Sequence, residues 1–375
     1  MTAPATEFDQ AVLADTQRIY LQPAGLASGH EAVALSKKGL ARPLSGGTAF
    51  TSVILWWRGA NGSVDHRVLS LEDLDQTIAN AAESARSRLV HLLRHLSQSP
   101  RSFAGVALDR PRLMGVVNVT PDSFSDGNRF LDPAAAIAHG EALYQAGADF
   151  IDVGGASTRP GAEPVEAAVE IDRVLPVIEG LVDLPVPLSI DTCSAEVMRA
   201  AFNAGTSIIN DTSALTADHL SLKTVCDLGA PVVLMHCQGE PRTMQVAPYY
   251  ADAVCDVYDY LEERLAICAE YGITADQVLI DPGIGFGKTL AHNLDILQRL
   301  TVFHGLGAGL LIGASRKSFI GALDTSASVD RRLPGSLATA IWALRCGANM
   351  LRVHDVTETS QAVSVWAAIS TYGET

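Results

Sequence analysis

Several short apolar runs in this sequence end in a polar residue that could do chemistry. The clearest is the run 113–117, which ends at Asn118 and continues into a loop rich in proline, glycine, serine and aspartate. Aspartate and asparagine often cap helices or build turns, so a single such residue has a purely structural explanation. Arginine, lysine and histidine are not N-cap residues. The set as a whole therefore predicts a ligand site, and its other members are Asp152, Asp191, Asn210, Met235, His236, Asp281, Arg352, His354 and the string 315–318.

Part of this set suits the edge of a flat heterocycle. Asp191, Asn210 and Asp281 offer oxygen atoms from three separate strand ends. Ring N–H groups of the amidine type are natural donors to such oxygens. These three residues therefore predict a site for a nitrogen-rich ring.

The cations suit phosphate oxygens. They are Arg159, Lys317, Arg352 and His354. Arg352 and His354 stand two residues apart on a predicted strand, so they share one of its faces. Asn118 offers a neutral oxygen of the kind that joins a Mg²⁺ shell completed by phosphate and water.

The chain after residue 112 alternates apolar runs of strand length with helical stretches. Strands are predicted at 113–118, 149–153, 186–190, 206–210, 231–235, 277–281, 310–313 and 349–353. Helices are predicted at 133–146, 164–180, 195–204, 217–228, 249–271, 291–300, 331–346 and 357–371. Asp132 and Pro133 form a helix start, and Gly147, Gly205 and Gly347 are placed to end helices.

Eight strand–helix units in about 260 residues predict an α/β fold of the (β/α)₈ TIM-barrel type. A doubly wound open sheet is the alternative; the count of eight and the absence of a dinucleotide-binding fingerprint favour the barrel. In a barrel, the C-terminal strand ends meet at one rim. The candidate site residues are therefore expected to converge there.

Residues 1–110 predict a small α+β extension without a chemical motif, and residues 111–375 the barrel domain. The segment 50–58 has the composition of a strand. Ser70 and Asp73 resemble a capping box, and apolar residues at helical spacing as far as Leu96 predict one long helix with a buried face. The stretch 97–112, which contains two prolines, is expected to be a linker.

Composition excludes several classes of function. The formal net charge of −15 argues against a general nucleic-acid or anionic-membrane surface. No apolar run is long enough to span a bilayer, and the N-terminus lacks the pattern of a signal peptide. The six cysteines form no C-x-x-C pair, which favours reduced thiols in a cytoplasmic protein.

Seven strings between residues 113 and 370 resemble, in their order, the dihydropteroate synthase family of pterin-binding TIM barrels. They are NVTPDSFSDG at 118–127, GASTRPG at 155–161, SIDT at 189–192, IND at 209–211, DPGIGFGK at 281–288, SRKS at 315–318 and RVHD at 352–355. The resemblance implies a transferase of folate biosynthesis. p-Aminobenzoate would displace pyrophosphate from 6-hydroxymethyl-7,8-dihydropterin diphosphate, which gives 7,8-dihydropteroate.

The resemblance also implies a role for each matching residue. The pterin would be held by Asp191, Asn210, Met235, Asp281, Phe286 and Lys317. The diphosphate, with Mg²⁺ on Asn118, would be held by Asn118, Arg159, Arg352 and His354. Thr158 and Ser318 would receive p-aminobenzoate, and the catalytic residues would be Asp126, Lys317 and Arg159. The family further implies a homodimer that packs through the late helices and a target for sulfonamides.

This sequence departs from the family pattern at a few loop positions. Ala156 stands where the family commonly has glutamate, and Cys193 and Cys237 also differ from the usual residues. Two alternatives stay open: a non-catalytic pterin-binding paralogue and a pterin-dependent methyltransferase. Erosion at Asn118 or Asp126 would favour the paralogue. Loss of the string 315–318 would favour the methyltransferase.

Overall fold

The computed structural model describes residues 16–98, 102–120, 132–157 and 161–371. Two parts follow each other in the chain. Residues 16–98 form the extension, and residues 112–371 contain the barrel strands and their helices. Among the described helices, none is both long enough and apolar enough to cross a membrane.

The extension is an antiparallel sheet covered by helices. Its strands are β1 (Thr16–Ser28), β2 (Arg42–Pro43), β3 (Thr48–Gly59) and β4 (Val64–Ser70). Its helices are α1 (Gly29–Lys37), α2 (Leu71–Asn80) and α3 (Glu83–Ser97). β3 is central: it pairs with β1 along one edge and with β2 and β4 along the other. The strand expected at 50–58 lies within β3.

The single long helix expected after Ser70 is wrong, because the structure has two helices there. The capping box of Ser70 and Asp73 is present and starts α2. The backbone is extended at Ala81 and Ala82, so the chain turns before α3 begins. Arg86 of α3 donates to the carbonyl oxygens of Ala79 and Ala81 at 3.0 Å. These bonds satisfy groups that the end of α2 leaves without an intrahelical partner.

A short hairpin lies within the stretch expected to be a linker. It consists of β5 (Ser102–Phe103) and β6 (Val106–Ala107). Phe103 is 1% exposed and Leu108 is 7% exposed. Both pack into the lower end of the barrel, where the Phe103 and Phe150 ring centroids are 6.3 Å apart. The apolar side chains of this hairpin thus close the barrel bottom.

The predicted TIM barrel is confirmed. Within the described residues, eight parallel strands pair in chain order and close on themselves. They are β7 (Arg112–Asn118), β8 (Phe150–Gly154), β9 (Leu188–Asp191), β10 (Ile208–Asp211), β11 (Val232–Met235), β12 (Val278–Asp281), β13 (Gly309–Ile312) and β14 (Met350–Val353). Their residues are nearly all buried, as expected of strands that have side chains packed on both faces.

Helices surround the barrel. They are α4 (Pro133–Gln145), α5 (Ala167–Leu181), α6 (Ala195–Ala204), α7 (Ser221–Leu228), α8 (Ala253–Glu270), α9 (Leu290–Gln298), α10 (Ser318–Leu323), α11 (Leu333–Arg345) and α12 (Val356–Thr371). Asp132 caps α4 by accepting from the N–H of Ala134, as the sequence predicts. Gly205 ends α6 at φ 122°, a conformation that residues with a side chain rarely adopt. The short helix α10 lies outside the predicted helix ranges.

Candidate active site

Strand register brings three of the predicted residues, Asn118, Asp191 and Asn210, to the same level of the rim. Asn118 of β7 pairs with Gly154 of β8, Gly154 pairs with Asp191 of β9, and Asp191 pairs with Asn210 of β10. A Cβ atom on Gly154 would lie 3.5 Å from Cβ of Asp191 and 3.8 Å from Oδ1 of Asn118. These are ordinary contact distances, so the side chains of Asn118 and Asp191 both lie beside Gly154.

Arg352 crosses the rim and joins two strands on the opposite wall. Its Nε donates to Oδ2 of Asp152, and one of its Nη atoms donates to Oδ2 of Asp191, both at 2.7 Å. Nδ2 of Asn210 donates to the same Asp152 oxygen at 2.9 Å. The guanidinium group is therefore fixed by two carboxylates, of which Asp191 belongs to the predicted heterocycle surface. The sequence predicts Arg352 as a diphosphate ligand and does not predict its pairing with Asp152 and Asp191.

Two carboxylates of the site have raised pKa values. Burial raises the pKa of Asp191 to about 7, although nearby Arg352 acts in the opposite direction. Burial also raises the pKa of Asp281. Oδ1 of Asp152 and Oδ1 of Asp191 are buried and accept no hydrogen bond from the described residues. These oxygen atoms suit the N–H groups of a bound ring, since an unpaired buried acceptor is costly.

Asp281, Lys317 and Phe286 form the neighbouring wall. Oδ1 of Asp281 accepts from the N–H of Gly283 at 2.8 Å, which orients the carboxylate. Burial lowers the pKa of Lys317 to about 8, while Asp281 acts to raise it. The Lys317 Nζ atom lies 3.8 Å from the centre of the Phe286 ring. A cation over an aromatic face fixes both side chains.

The residue before Lys317 has an unusual backbone. Arg316 has φ 57°, which is uncommon for a residue other than glycine. Its N–H donates to Oγ of Ser336 at 2.9 Å, and its Nε donates to Asp355 at 2.9 Å. Its carbonyl oxygen accepts from Arg332 at 3.1 Å. These contacts hold the strained turn that carries Lys317 and, one residue later, the exposed Ser318.

A buried lysine supports the loop 283–288. Nζ of Lys288 lies 2.9 Å from Nδ1 of His236 and donates to the carbonyl oxygens of Gly283, at 2.9 Å, and Phe286, at 3.0 Å. Burial lowers the pKa of Lys288 to about 7 and that of His236 below its ordinary value. A neutral His236 accepts at Nδ1. Lys288 therefore ties Phe286 to the end of β11.

His354 lies at the end of β14 beside Ser315. Its Nδ1 is 3.1 Å from Oγ of Ser315. Burial, reinforced by the charges of Arg352, Arg316 and Lys317, lowers its pKa to about 3. Sequence reasoning counted His354 among the cations, but the protein holds it as a neutral hydrogen-bonding group. An anionic ligand would raise its pKa.

The structure thus brings together most of the predicted site. Seven of its residues lie at or next to the C-terminal strand ends: Asn118, Asp191, Asn210, Met235, Asp281, Arg352 and His354. Phe286 and Lys317 lie in the loops that follow β12 and β13, and Ser318 begins α10. Asp126, Thr158 and Arg159 lie outside the described residues. Sequence reasoning gave no specific role to Asp152 or Lys288. The signals were present, since Asp152 ends an apolar run and Lys288 ends a glycine-rich string.

Comparison with known proteins gives the family. Residues 114–354 match the family model described as pterin binding enzyme. The chain is 46% identical over 264 residues to the dihydropteroate synthase of Escherichia coli K12, which covers 70% of this chain and 93% of that protein.

Two solved structures of the Xanthomonas albilineans dihydropteroate synthase are also similar. The one with 4-aminobenzoic acid has a TM-score of 0.66 at 48% identity and covers 70% of this chain and 94% of that chain. The one in complex with 7,8-dihydropteroate has a TM-score of 0.64 at 45% identity and covers 70% and 95% respectively.

Proposed function

Because the chain belongs to the dihydropteroate synthase family of pterin-binding enzymes, we propose that it joins 6-hydroxymethyl-7,8-dihydropterin diphosphate to p-aminobenzoate. The products are 7,8-dihydropteroate and pyrophosphate. The observation that carries the proposal is the site itself: buried Asp191 and Asp281 flank Arg352 and Lys317 beside the Phe286 ring. Such a site offers oriented acceptors, donors and an aromatic surface for one flat ring.

The pterin is assigned to the two walls just described. Asp191, Asn210 and Asp281 accept from or exchange hydrogen bonds with the ring N–H groups, and Lys317 donates to a ring acceptor. Met235 and Phe286 supply apolar contact. The unpaired Oδ1 of Asp191 supports this assignment, because a ring N–H would satisfy it.

The diphosphate is assigned to the side of the rim that carries Asn118 and His354. Arg352 uses Nε and one Nη for carboxylates, so its other amino group is the part assigned to phosphate. His354 contributes a hydrogen bond, since it is neutral before the ligand binds. Arg159 keeps its predicted role from outside the described residues.

Mg²⁺ is proposed with the diphosphate, held on the protein side by Asn118. Within the described ranges, no cluster of three or more acidic, histidine or cysteine side chains could hold a metal ion. A single amide oxygen fits an ion that takes its other ligands from phosphate and water. The ion would neutralise charge on the leaving group.

The chemistry requires no covalent enzyme intermediate. The bond between the exocyclic methylene carbon and the diphosphate oxygen breaks, and pyrophosphate leaves with the bonding electrons. The positive charge on the methylene is conjugated with the dihydropterin ring, and Asp126 is the carboxylate proposed to stabilise it. The neutral amine of p-aminobenzoate then attacks this carbon and loses a proton. Ser318, at the rim, and Thr158 are assigned to the aminobenzoate.

A homodimer in the cytoplasm is part of the proposal. The late helices expose apolar side chains: Trp342 on α11 is 43% exposed, and Val365 and Ile369 on α12 are 56% and 73% exposed. Such surface suits a second copy of the chain. All six cysteines are free thiols, which supports a reducing compartment. Sedimentation of the wild type and of Ile369→Asp tests the dimer, which should dissociate in the variant.

The test of function is pyrophosphate release by the purified protein. Dihydropterin diphosphate and Mg²⁺ are supplied with and without p-aminobenzoate, and Lys317→Ala serves as the inactive control. Release that depends on aminobenzoate, with an equal amount of dihydropteroate, is the expected result. Tight pterin binding without release would overturn the synthase proposal in favour of the paralogue.

A further inference from the structure

The extension lays one face of its sheet against helix α8 of the barrel. Along β1 and β3, alternate residues point to the same face, and the register pairs Tyr20 with Trp56 and Arg18 with Arg58. The facing stripe of α8 is acidic and has carboxylates three residues apart at Asp256, Asp259 and Glu262. The interface is therefore complementary in charge.

Most of the polar contacts between the extension and α8 lie beyond the first turn of α8. Tyr20 donates to Asp259 at 2.9 Å, and Arg18 donates to Glu262 at 2.7 Å. Arg88 of α3 donates to the other Glu262 oxygen at 2.5 Å. These contacts attach the extension to the middle of the helix, away from the active-site rim.

Arg58 makes a contact of another kind. It donates to Oδ1 of Asp256, and Oδ2 of Asp256 accepts from the N–H groups of Ala251, at 2.8 Å, and Asp252, at 3.4 Å. The carboxylate held by Arg58 therefore binds the last residues of the loop 236–252, which runs from β11 at the rim to the start of α8. Asp252 is the N-cap of α8 and accepts from the N–H of Cys255.

Trp56 contacts the same end of the loop 236–252 through Arg299. The Arg299 guanidinium lies over the Trp56 ring, 4.5 Å from its centre. Arg299 donates to both oxygen atoms of Asp252, at 2.9 and 3.0 Å. Two residues of the extension thus converge, directly or through Arg299, on the end of one active-site loop.

The loop 236–252 in turn contacts the loop that carries Phe286. Tyr250 donates to the carbonyl oxygen of Gly287 at 2.8 Å, and Gln245 donates to that of Gly285 at 2.7 Å. A Cβ atom on Gly287 would lie 2.2 Å from the carbonyl oxygen of Gln238, so the two loops are in direct contact. Contacts are therefore continuous from Arg58 to the proposed pterin wall.

We propose that Arg58, supported by Trp56, is a positioning residue for the reaction. Arg58 fixes the loop 236–252 and, through this loop, positions Phe286. The proposal rests on the proposed function for the identity of the substrate. Arg58 lies outside the family match, which begins at Met114. The match to the Escherichia coli enzyme already covers 93% of that protein, which leaves too little chain for an equivalent of the extension.

The test compares Arg58→Ala with Arg18→Ala in the full-length protein. The two arginines face each other across neighbouring strands, and both bind carboxylates of α8. Only Arg58 reaches the loop. We expect Arg58→Ala to raise KM for dihydropterin diphosphate about fivefold with kcat within about twofold, Arg58→Lys to recover most of this, and Arg18→Ala to leave KM unchanged. Melting temperatures of all variants show that they are folded.

Hydrogen exchange tests whether Arg58 fixes the loop without any measurement of enzyme activity. Amides of 236–252 should exchange faster in Arg58→Ala than in the wild type or in Arg18→Ala. Equal KM changes in the two alanine variants, or an unchanged KM and unchanged exchange in Arg58→Ala, would overturn the positioning role. If the wild type shows no synthase activity, the proposed function fails, and loop exchange alone then decides whether Arg58 fixes the loop.

Discussion

The two ends of the barrel are built from opposite kinds of residue. At the C-terminal end, Asp152, Asp191, Asp281 and Arg352 are polar and lie in a largely buried site. The N-terminal end is a cluster closed by Phe103 and Leu108, and its strand members are Met114, Phe150, Ile208, Val233, Leu279, Leu311 and Met350. Stability and chemistry are therefore separated along the barrel axis.

This separation has an energetic reason. Burying a carboxylate costs free energy, and the raised pKa values of Asp191 and Asp281 show that cost at the rim. The apolar end stabilises the fold without such a cost. Changes at the bottom should therefore alter stability, and changes at the rim should alter binding.

The largest expected effect is at the bottom. Phe103→Ala should lower the free energy of unfolding by about 4 kcal/mol, because it empties a fully buried aromatic site. Affinity for the pterin product should stay within about twofold, since the site is at the other end. Denaturant unfolding and calorimetry measure the two quantities. A large loss of pterin affinity in a folded variant would show that the ends are coupled.

At the rim, Asp281→Ala should weaken pterin binding and have little effect on stability. Pterin affinity should fall about a hundredfold, roughly 3 kcal/mol, because oriented hydrogen bonds from a charged group are lost. The melting temperature should hardly fall, since a costly buried carboxylate is removed. Leu279→Ala, two residues earlier on β12, is the matched control and should lose stability instead. Retained tight pterin binding would show that the pterin pocket lies elsewhere.

Protonation of a buried histidine should affect stability alone. Nε2–H of His304 donates to the carbonyl oxygen of Cys346 at 2.8 Å, and burial lowers the pKa of His304 to about 4. A lowered histidine pKa means that the folded state binds fewer protons. The contribution of neutral His304 to the free energy of unfolding is therefore fully present above about pH 6.5. It is lost as the pH falls towards 4, by up to about 1.4 kcal/mol per pH unit.

His304→Gln should reduce the pH dependence of the free energy of unfolding, because up to one fewer proton is taken up on unfolding. Unfolding by urea at several pH values between 4 and 7 measures it. His236 and His354 also have lowered pKa values, so part of the slope should persist in the variant. An unchanged slope would mean that His304 does not titrate on unfolding.

The smallest expected effect separates two parts of the rim. His354→Gln should weaken binding of the diphosphate substrate about tenfold, about 1.4 kcal/mol, because one hydrogen bond to the anion is changed. Binding of the pterin product should be unchanged. Calorimetry with the two ligands makes the comparison, and equal losses for both would refute the assignment of His354 to the diphosphate.

Much of the rim could be predicted from the sequence because strand ends can be recognised locally. An apolar run followed by a polar residue marks both the strand and the position of its end, as at Asp191 and Asp281. The two helices in place of one after Ser70 could not be predicted this way. The break at Ala81 has no glycine or proline, and Arg86 of the next helix satisfies the freed carbonyls.

The sequence by itself determined the barrel, the family and the residue types at the rim, because strand–helix periodicity and short motifs are local properties of a chain. The tertiary structure alone decided the pairing of Arg352 with Asp152 and Asp191, the neutral state of His354, the closure of the bottom by Phe103, and the contact of Arg58 with the loop 236–252. Each of these depends on residues far apart in the chain, and on burial, which sets both charge and packing only after the strands have closed.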